Sequence, residues 1–124
     1  MGTAATKHEV MIVEDDFEIR EILRELLEEA GYLVMWAANG MEALARLRIG
    51  RAPRVILLDL MMPVMDGLQF RTAQRRDPAL AAIPVVVISA DHGMDQKVCD
   101  MQADAYLPKP FELRTLLATV NRYC

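Results

Sequence analysis

The stretch Val55-Ile56-Leu57-Leu58-Asp59-Leu60-Met61-Met62-Pro63 sets four consecutive apolar residues ahead of a carboxylate and reaches a proline four residues later. A strand solvated on one face alternates polar and apolar residues. One that is apolar at every position has both faces covered, as in a parallel sheet flanked by helices. Outward from it, three more runs share this character: Val10-Met11-Ile12-Val13, Leu33-Val34-Met35-Trp36-Ala37 and Val85-Val86-Val87-Ile88, with a weaker fifth at Ala105-Tyr106-Leu107. Parallel strands need crossover connections, so helices must lie between them.

The intervening segments supply those helices. Ile19, Ile22, Leu23, Leu26, Leu27 and Ala30 recur at helical spacing, with Asp16 as N-cap and Gly31 as stop. A second helix, opened by Asn39-Gly40, runs from Met41 through Leu44 and Leu47, and Leu113, Leu116, Leu117 and Val120 mark the last. The pattern places a third helix at about 67 to 76 and a fourth at about 93 to 101. Strand and helix thus alternate, and the short connections allow only right-handed crossovers. The predicted fold class is α/β, a doubly wound five-stranded parallel sheet with helices on both faces.

The 124 residues read as a single domain, too short for two of ordinary size, with no internal repeat, linker or low-complexity tract. A net charge of -4, with basic residues scattered among acids, argues against direct nucleic-acid binding, which needs clustered Lys and Arg. No apolar run approaches the roughly 18 residues of a membrane span, and residues 1 to 6 carry no signal-peptide apolar segment, so a cytoplasmic location is expected. Cys99 and Cys124 form no CxxC pair and no Cys/His cluster with metal-ligand spacing; His8 and His92 read as surface histidines.

The chemistry concentrates where the apolar runs end. Glu14 and Asp15 follow the first strand, Asp59 the third and Ser89 the fourth, while Lys109 lies just beyond the fifth. In open α/β sheets the ligand crevice lies outside the carboxyl ends of the strands, where strand order reverses. The second strand leads through Ala37-Ala38 straight into its helix, which suits a flavodoxin-like strand order 2-1-3-4-5 with that strand at the far edge. Three carboxylates meeting at one crevice repel, which raises a pKa or draws in a cation. An oxygen-rich cage suits Mg²⁺, commonly held by one or two carboxylates together with a phosphate. Phosphoryl chemistry then uses a metal, a cation such as Lys109 and a hydroxyl such as Ser89, and leaves Asp59 as the carboxylate nucleophile.

The segments Val13-Glu14-Asp15-Asp16, Leu58-Asp59-Leu60-Met61-Met62-Pro63-Val64-Met65-Asp66-Gly67, Ser89-Ala90 and Lys109-Pro110-Phe111, in this order, resemble the receiver domain of response regulators in two-component signal transduction. The likeness is to the single-domain, chemotaxis-regulator type and runs from about residue 8 to about 123. It implies that Asp59 is the phosphoacceptor, served by the phospho-histidine of a sensor histidine kinase or histidine phosphotransfer protein. It further implies that Asp15, Asp59 and the backbone carbonyl of Met61 ligate Mg²⁺, that Glu14 acts through a metal-bound water, and that Mn²⁺ substitutes. Ser89, Lys109 and the backbone N–H of Ala90 are implied to contact the phosphoryl oxygens, with the Lys109-Pro110 bond cis. Ser89 and Tyr106 are the implied switch, coupled to the surface of the fourth helix, fifth strand and fifth helix.

A chain of this kind is a signalling phosphoacceptor that catalyses only its own phosphotransfer and dephosphorylation. Only Asn121-Arg122-Tyr123-Cys124 follow the last apolar position of the final helix, so no output domain is expected. Output is expected through a downstream protein target or a phosphorelay, from a monomer or weak dimer. Several positions depart from the family pattern. Gln102 stands where a glycine is common, so the end of the fourth helix must change conformation or carry left-handed strain. Asp104 is followed by Ala105 rather than a second acid, and Met61 and Asp91 occupy positions that vary in the family and tune phosphoryl lifetime.

Other readings sit beside these. Asp16 reads as a helix cap, Asp66-Gly67 as a turn and helix start, Tyr106 alternatively as a half-buried strand aromatic, and Trp36 as a core or rim aromatic away from the crevice. A haloacid-dehalogenase-like phosphatase places a second Asp two residues after the first, where this chain has Met61. A flavodoxin-like cofactor binder needs hydroxyls and N–H groups after strand one, where Glu14-Asp15-Asp16 repel phosphate. A receiver fold serving as a constitutive interaction module, without phosphorylation, is the remaining alternative.

Overall fold

The computed structural model describes residues 8–90 and 99–124. The elements are β1 (Glu9–Val13), α1 (Phe17–Glu29), β2 (Leu33–Ala37), α2 (Gly40–Ile49), β3 (Val55–Asp59), α3 (Gly67–Arg76), β4 (Val85–Ser89), β5 (Ala105–Pro108) and a C-terminal helix (Leu113–Tyr123). The expected fourth helix falls largely outside the described residues, of which 99 to 101 are helical. All strand pairs are parallel and the order is β2-β1-β3-β4-β5.

Alternation along the strands builds two apolar layers. Met11, Val13, Ile56, Leu58, Val85 and Val87 pack with Ala43, Leu44 and Leu47 of α2 and Phe70 of α3. Val10, Ile12, Val55, Leu57, Val86 and Ile88 pack with Leu23 and Leu27 of α1 and Leu116 and Val120 of the C-terminal helix. Both faces are therefore covered, which is why these strands are apolar at every position. The sheet has the expected doubly wound, flavodoxin-like topology.

The caps are the ones the sequence announces. Asp16 accepts from the N–H groups of Glu18 and Ile19, Asn39 from that of Glu42, and Asp66 forms a reciprocal capping box with Gln69. Gly31, just past α1, takes a φ of 97° that favours glycine. The face α1 turns to the sheet differs from the apolar stripe read above. Ile22 is 56% exposed, whereas Arg20 is buried alongside Leu23 and Leu27. Two strand ends also shift, since Asp59 and Ser89 are the last residues of β3 and β4 rather than the residues after them.

Gln102 adopts a φ of 54°, so this chain carries the left-handed strain. The buried guanidinium of Arg71 explains how: its Nε donates to the carbonyl of Met101 at 3.0 Å and its Nη2 to that of Gln102 at 2.7 Å. A left-handed non-glycine residue costs roughly 1–2 kcal/mol, and two charge-assisted hydrogen bonds of roughly 1.5–3 kcal/mol each outweigh that.

Candidate functional site

The register of the central strands brings the acids together. Val13 pairs with Leu58, so Glu14 and Asp59 leave the sheet side by side, and Asp59 pairs with Ile88 just before Ser89. The Glu14 N–H donates to the Ala37 carbonyl at 3.0 Å, carrying the ladder one residue past β1. Glu14 is 3% exposed and Asp59 6%, while Asp15 is exposed. One carboxylate oxygen from each of Glu14, Asp15 and Asp59 lies within 4.8 Å of the others.

Lys109 enters from the far side of the crevice. Its N–H donates to the Ser89 carbonyl at 2.8 Å, which ties the chain after β5 to the end of β4. Its Nζ lies 2.7 Å from Glu14 Oε1 and 3.7 Å from Asp59 Oδ1. The second oxygen of Glu14 accepts from the Asp16 N–H at 3.2 Å. The Lys109-Pro110 bond is cis.

Burial drives the Asp59 carboxyl well above the ordinary carboxylate range, and the neighbouring Glu14 charge pushes the same way. Lys109 and the Met61 N–H oppose the rise without cancelling it. Asp15 is also raised, first by loss of solvent and then by Glu14, against a backbone hydrogen bond that lowers it. Three carboxylates facing one ammonium leave two formal negative charges uncompensated when all are ionised. The cluster can relieve that by keeping a proton or by taking a divalent cation. All its donors are oxygens, as a hard ion such as Mg²⁺ requires.

The loop after β3 is held close to the acid. Asp66 caps α3, and the Gly67 N–H donates to the Leu60 carbonyl at 3.0 Å. A Cβ at Gly67 would stand 2.7 Å from the Asp59 carbonyl oxygen, so only glycine lets α3 approach this strand end. Met61 lies two residues past Asp59 with its side chain exposed, and Ala90 directly follows β4. Ser89 is buried opposite Pro108, and Tyr106 is half-buried opposite Val87, packed against the α2/α3 layer. Asp91 and His92 lie outside the described residues.

Thus Glu14, Asp15, Asp59 and Lys109 converge, with Ser89 at the same sheet edge. Sequence reasoning missed Arg20, whose Nη1 donates to the Glu14 carbonyl at 3.0 Å. The available signal was its position: it precedes Leu23 by three residues and Leu27 by seven, on the buried side of α1. Among the described residues no helix is long and apolar enough to cross a membrane.

A 2-1-3-4-5 parallel sheet with an acid cluster and a lysine at its carboxyl edge defines a class of flavodoxin-like α/β domains. The chain belongs to the response regulator receiver domain family, whose model matches residues 10–121. Receiver domains are signalling domains of two-component systems and partner with histidine kinases. Response regulator MprA of Mycobacterium ulcerans is 40% identical over 114 residues, covering 90% of this chain and 48% of that protein. The DNA-binding dual master transcriptional regulator RpaA of Synechocystis is 38% identical, covering 90% of this chain and 47% of that protein. The chain therefore spans about half the length of these curated relatives. With one of them a DNA-binding regulator, the expectation of no nucleic-acid contact has no support from this comparison.

Among solved structures, the chemotaxis response regulator CheY4 of Vibrio cholerae superposes with a TM-score of 0.87 at 34% identity, covering 96% of this chain and all of that one. Response regulator TrrA of Thermotoga maritima, solved in complex with Mg²⁺ and BeF, gives 0.84 at 28% identity, covering 94% of this chain and 99% of that one.

Proposed function

We propose that this chain is the phosphoacceptor of a two-component or phosphorelay system, taking a phosphoryl group onto Asp59 from the phospho-histidine of a sensor histidine kinase or histidine phosphotransfer protein. The observation that carries this reading is the convergence of the Glu14, Asp15 and Asp59 carboxylates on the Lys109 ammonium at the carboxyl edge of the sheet. In the reaction one carboxylate oxygen of Asp59 bonds to phosphorus as the phosphorus–nitrogen bond of the phospho-histidine breaks, and the released imidazole keeps the electron pair.

Glu14, Asp15, Asp59 and the backbone carbonyl of Met61 are the proposed holders of Mg²⁺, with Mn²⁺ as a substitute. Bound there, the ion supplies neutralisation of charge on the reacting oxygens. Lys109 lies 3.7 Å from the acceptor carboxylate, within reach of a phosphoryl oxygen attached to it. Ser89 and the N–H of Ala90 stand at the end of the adjacent strand and receive the remaining oxygens. Ser89 and Tyr106 then carry the change to the surface formed by the segment before β5, β5 itself and the C-terminal helix. Apart from this self-directed chemistry the chain has no enzymatic role. It works in the cytoplasm, as a monomer or weak dimer, through a protein target.

The test is exposure to a small phosphodonor with and without Mg²⁺, followed by intact-mass measurement of wild type and Asp59→Asn. A metal-dependent gain of one phosphate confined to wild type is expected. A gain in both proteins, or in wild type without a divalent ion, overturns the assignment.

A further inference from the structure

We propose that Arg20 is a positioning residue for the acid cluster, acting through the peptide between Glu14 and Asp15, and that Trp36 holds Arg20 in place. The proposal rests on the reading of the crevice as a Mg²⁺ site and adds a residue to it.

The need for such a residue follows from strand geometry. Successive side chains on a strand point to opposite faces, yet Glu14 and Asp15 are consecutive and both bring a carboxylate oxygen into the same cluster. The peptide joining them must leave the strand's alternation and be held in its turned orientation. Two contacts fix its surroundings. The Glu14 N–H donates to Ala37, and the Glu14 carbonyl, part of the turned peptide, accepts from Arg20 Nη1 at 3.0 Å.

Arg20 is an unusual choice for the site it occupies. It lies on the face of α1 that buries Leu23 and Leu27, and is itself only 7% exposed. Its Nε is a buried side-chain nitrogen without a hydrogen-bond partner. A leucine would pack that face without stranding a donor, so apolar packing does not account for the guanidinium. Aromatic faces hold it instead: its central carbon lies 4.1 Å from the Trp36 ring centroid and 5.5 Å from that of Phe17. Trp36 precedes Ala37, the residue that receives the Glu14 N–H, so one corner of β2 anchors both contacts to Glu14.

The sign of the effect separates positioning from simple charge. A cation beside the cluster repels a metal ion, so charge alone predicts that removing Arg20 tightens Mg²⁺ binding. Positioning predicts the reverse, because an unpinned peptide no longer presents Glu14 and Asp15 together.

The experiment is a Mg²⁺ titration, by calorimetry, of wild type, Arg20→Met, Trp36→Leu and Trp36→Phe, each with a thermal melt. Arg20→Met keeps side-chain length and apolar bulk but removes charge and donors. It is expected to weaken Mg²⁺ about tenfold, in the range seen when groups orienting metal ligands are lost. Trp36→Leu, lacking a ring face, is expected to weaken it too, while Trp36→Phe restores affinity to within about twofold of wild type. Unchanged or tighter binding by Arg20→Met overturns the proposal. Should that variant melt before the titration temperature, the Trp36 pair decides, and equal affinities for Leu and Phe overturn it. Absence of saturable Mg²⁺ binding by wild type overturns the reading of the crevice itself, a result distinct from either.

Discussion

Lys109 Nζ sits 2.7 Å from Glu14 Oε1 and a full ångström further from Asp59 Oδ1. The ammonium is therefore paired more closely with Glu14, and Asp59, also buried, is the less well compensated of the two. The asymmetry sits beside a raised Asp59 pKa, whose first cause is burial and second the Glu14 charge, with Lys109 opposing. It also gives the proposed role of Lys109 two parts, balancing Glu14 before reaction and standing within reach of the acceptor carboxylate at 3.7 Å.

Replacing Lys109 with Met removes a cation from beside the proposed metal ligands. Mg²⁺ binding is expected to tighten, by roughly threefold or more, while phosphorylation by a small donor slows sharply. Without metal the variant loses about 3 kcal/mol of stability, because Glu14 is left buried and unpaired. Mg²⁺ titration, initial rates of mass gain and urea midpoints in chelator check the three parts. Weaker Mg²⁺ binding would show that Lys109 positions the acids rather than opposing the ion.

The pH dependence of stability follows from the direction of the Asp59 shift. Its folded pKa lies above the unfolded carboxylate value of about 3.9. Between the two, the native state holds a proton that the unfolded chain has released, so stability present at low pH is lost as pH rises through the folded value. Urea midpoints in chelator across that window should fall more steeply for wild type than for Asp59→Asn. Equal slopes would mean that Asp59 ionises normally.

The Arg71 clamp predicts opposite effects from substitutions at its two partners, Gln102 and Arg71. Gln102→Gly removes left-handed strain and should stabilise by roughly 1 kcal/mol. Arg71→Met leaves the Met101 and Gln102 carbonyls without their donor and should cost about 2–3 kcal/mol. Urea denaturation of both, and of the double variant, checks this. In the double variant glycine recovers part of the loss, because it relieves the left-handed strain with or without Arg71.

Val64 takes a φ of 67° in the loop between Asp59 and α3, with its side chain 73% exposed. A β-branched residue in that region is strained and here gains little from burial. Val64→Gly is expected to raise stability by roughly 1 kcal/mol, read from thermal or urea unfolding. A loss would mean that glycine's greater freedom in the unfolded chain outweighs the strain.

The sheet, its order and the acid edge were legible because one cause produced both signals. Strands buried on two faces must be apolar throughout, so the few polar residues allowed near them stand where the strands end. The strand runs at 55, 85 and 10 and the acids at 14, 15 and 59 are therefore the same observation read twice. Pairwise geometry was not legible. Nothing local says that Lys109 sits on Glu14 rather than Asp59, since the two residues are ninety-five positions apart and meet through β1 and β5. Arg20 was passed over because a charged residue beside an apolar stripe carries no local sign of burial; the Trp36 and Phe17 rings and the Glu14 carbonyl that receive it lie elsewhere in the chain or are set by the fold. Gln102 was legible as a problem, but its remedy lies on another helix, in Arg71.

The most direct measurement is the location of the phosphate within the chain. After transfer from a phosphorylated histidine donor in Mg²⁺, fragment mass mapping should find one phosphate, on Asp59, and none when the metal is chelated. Phosphate on any other residue, or on Asp59 with no divalent ion present, would contradict the account.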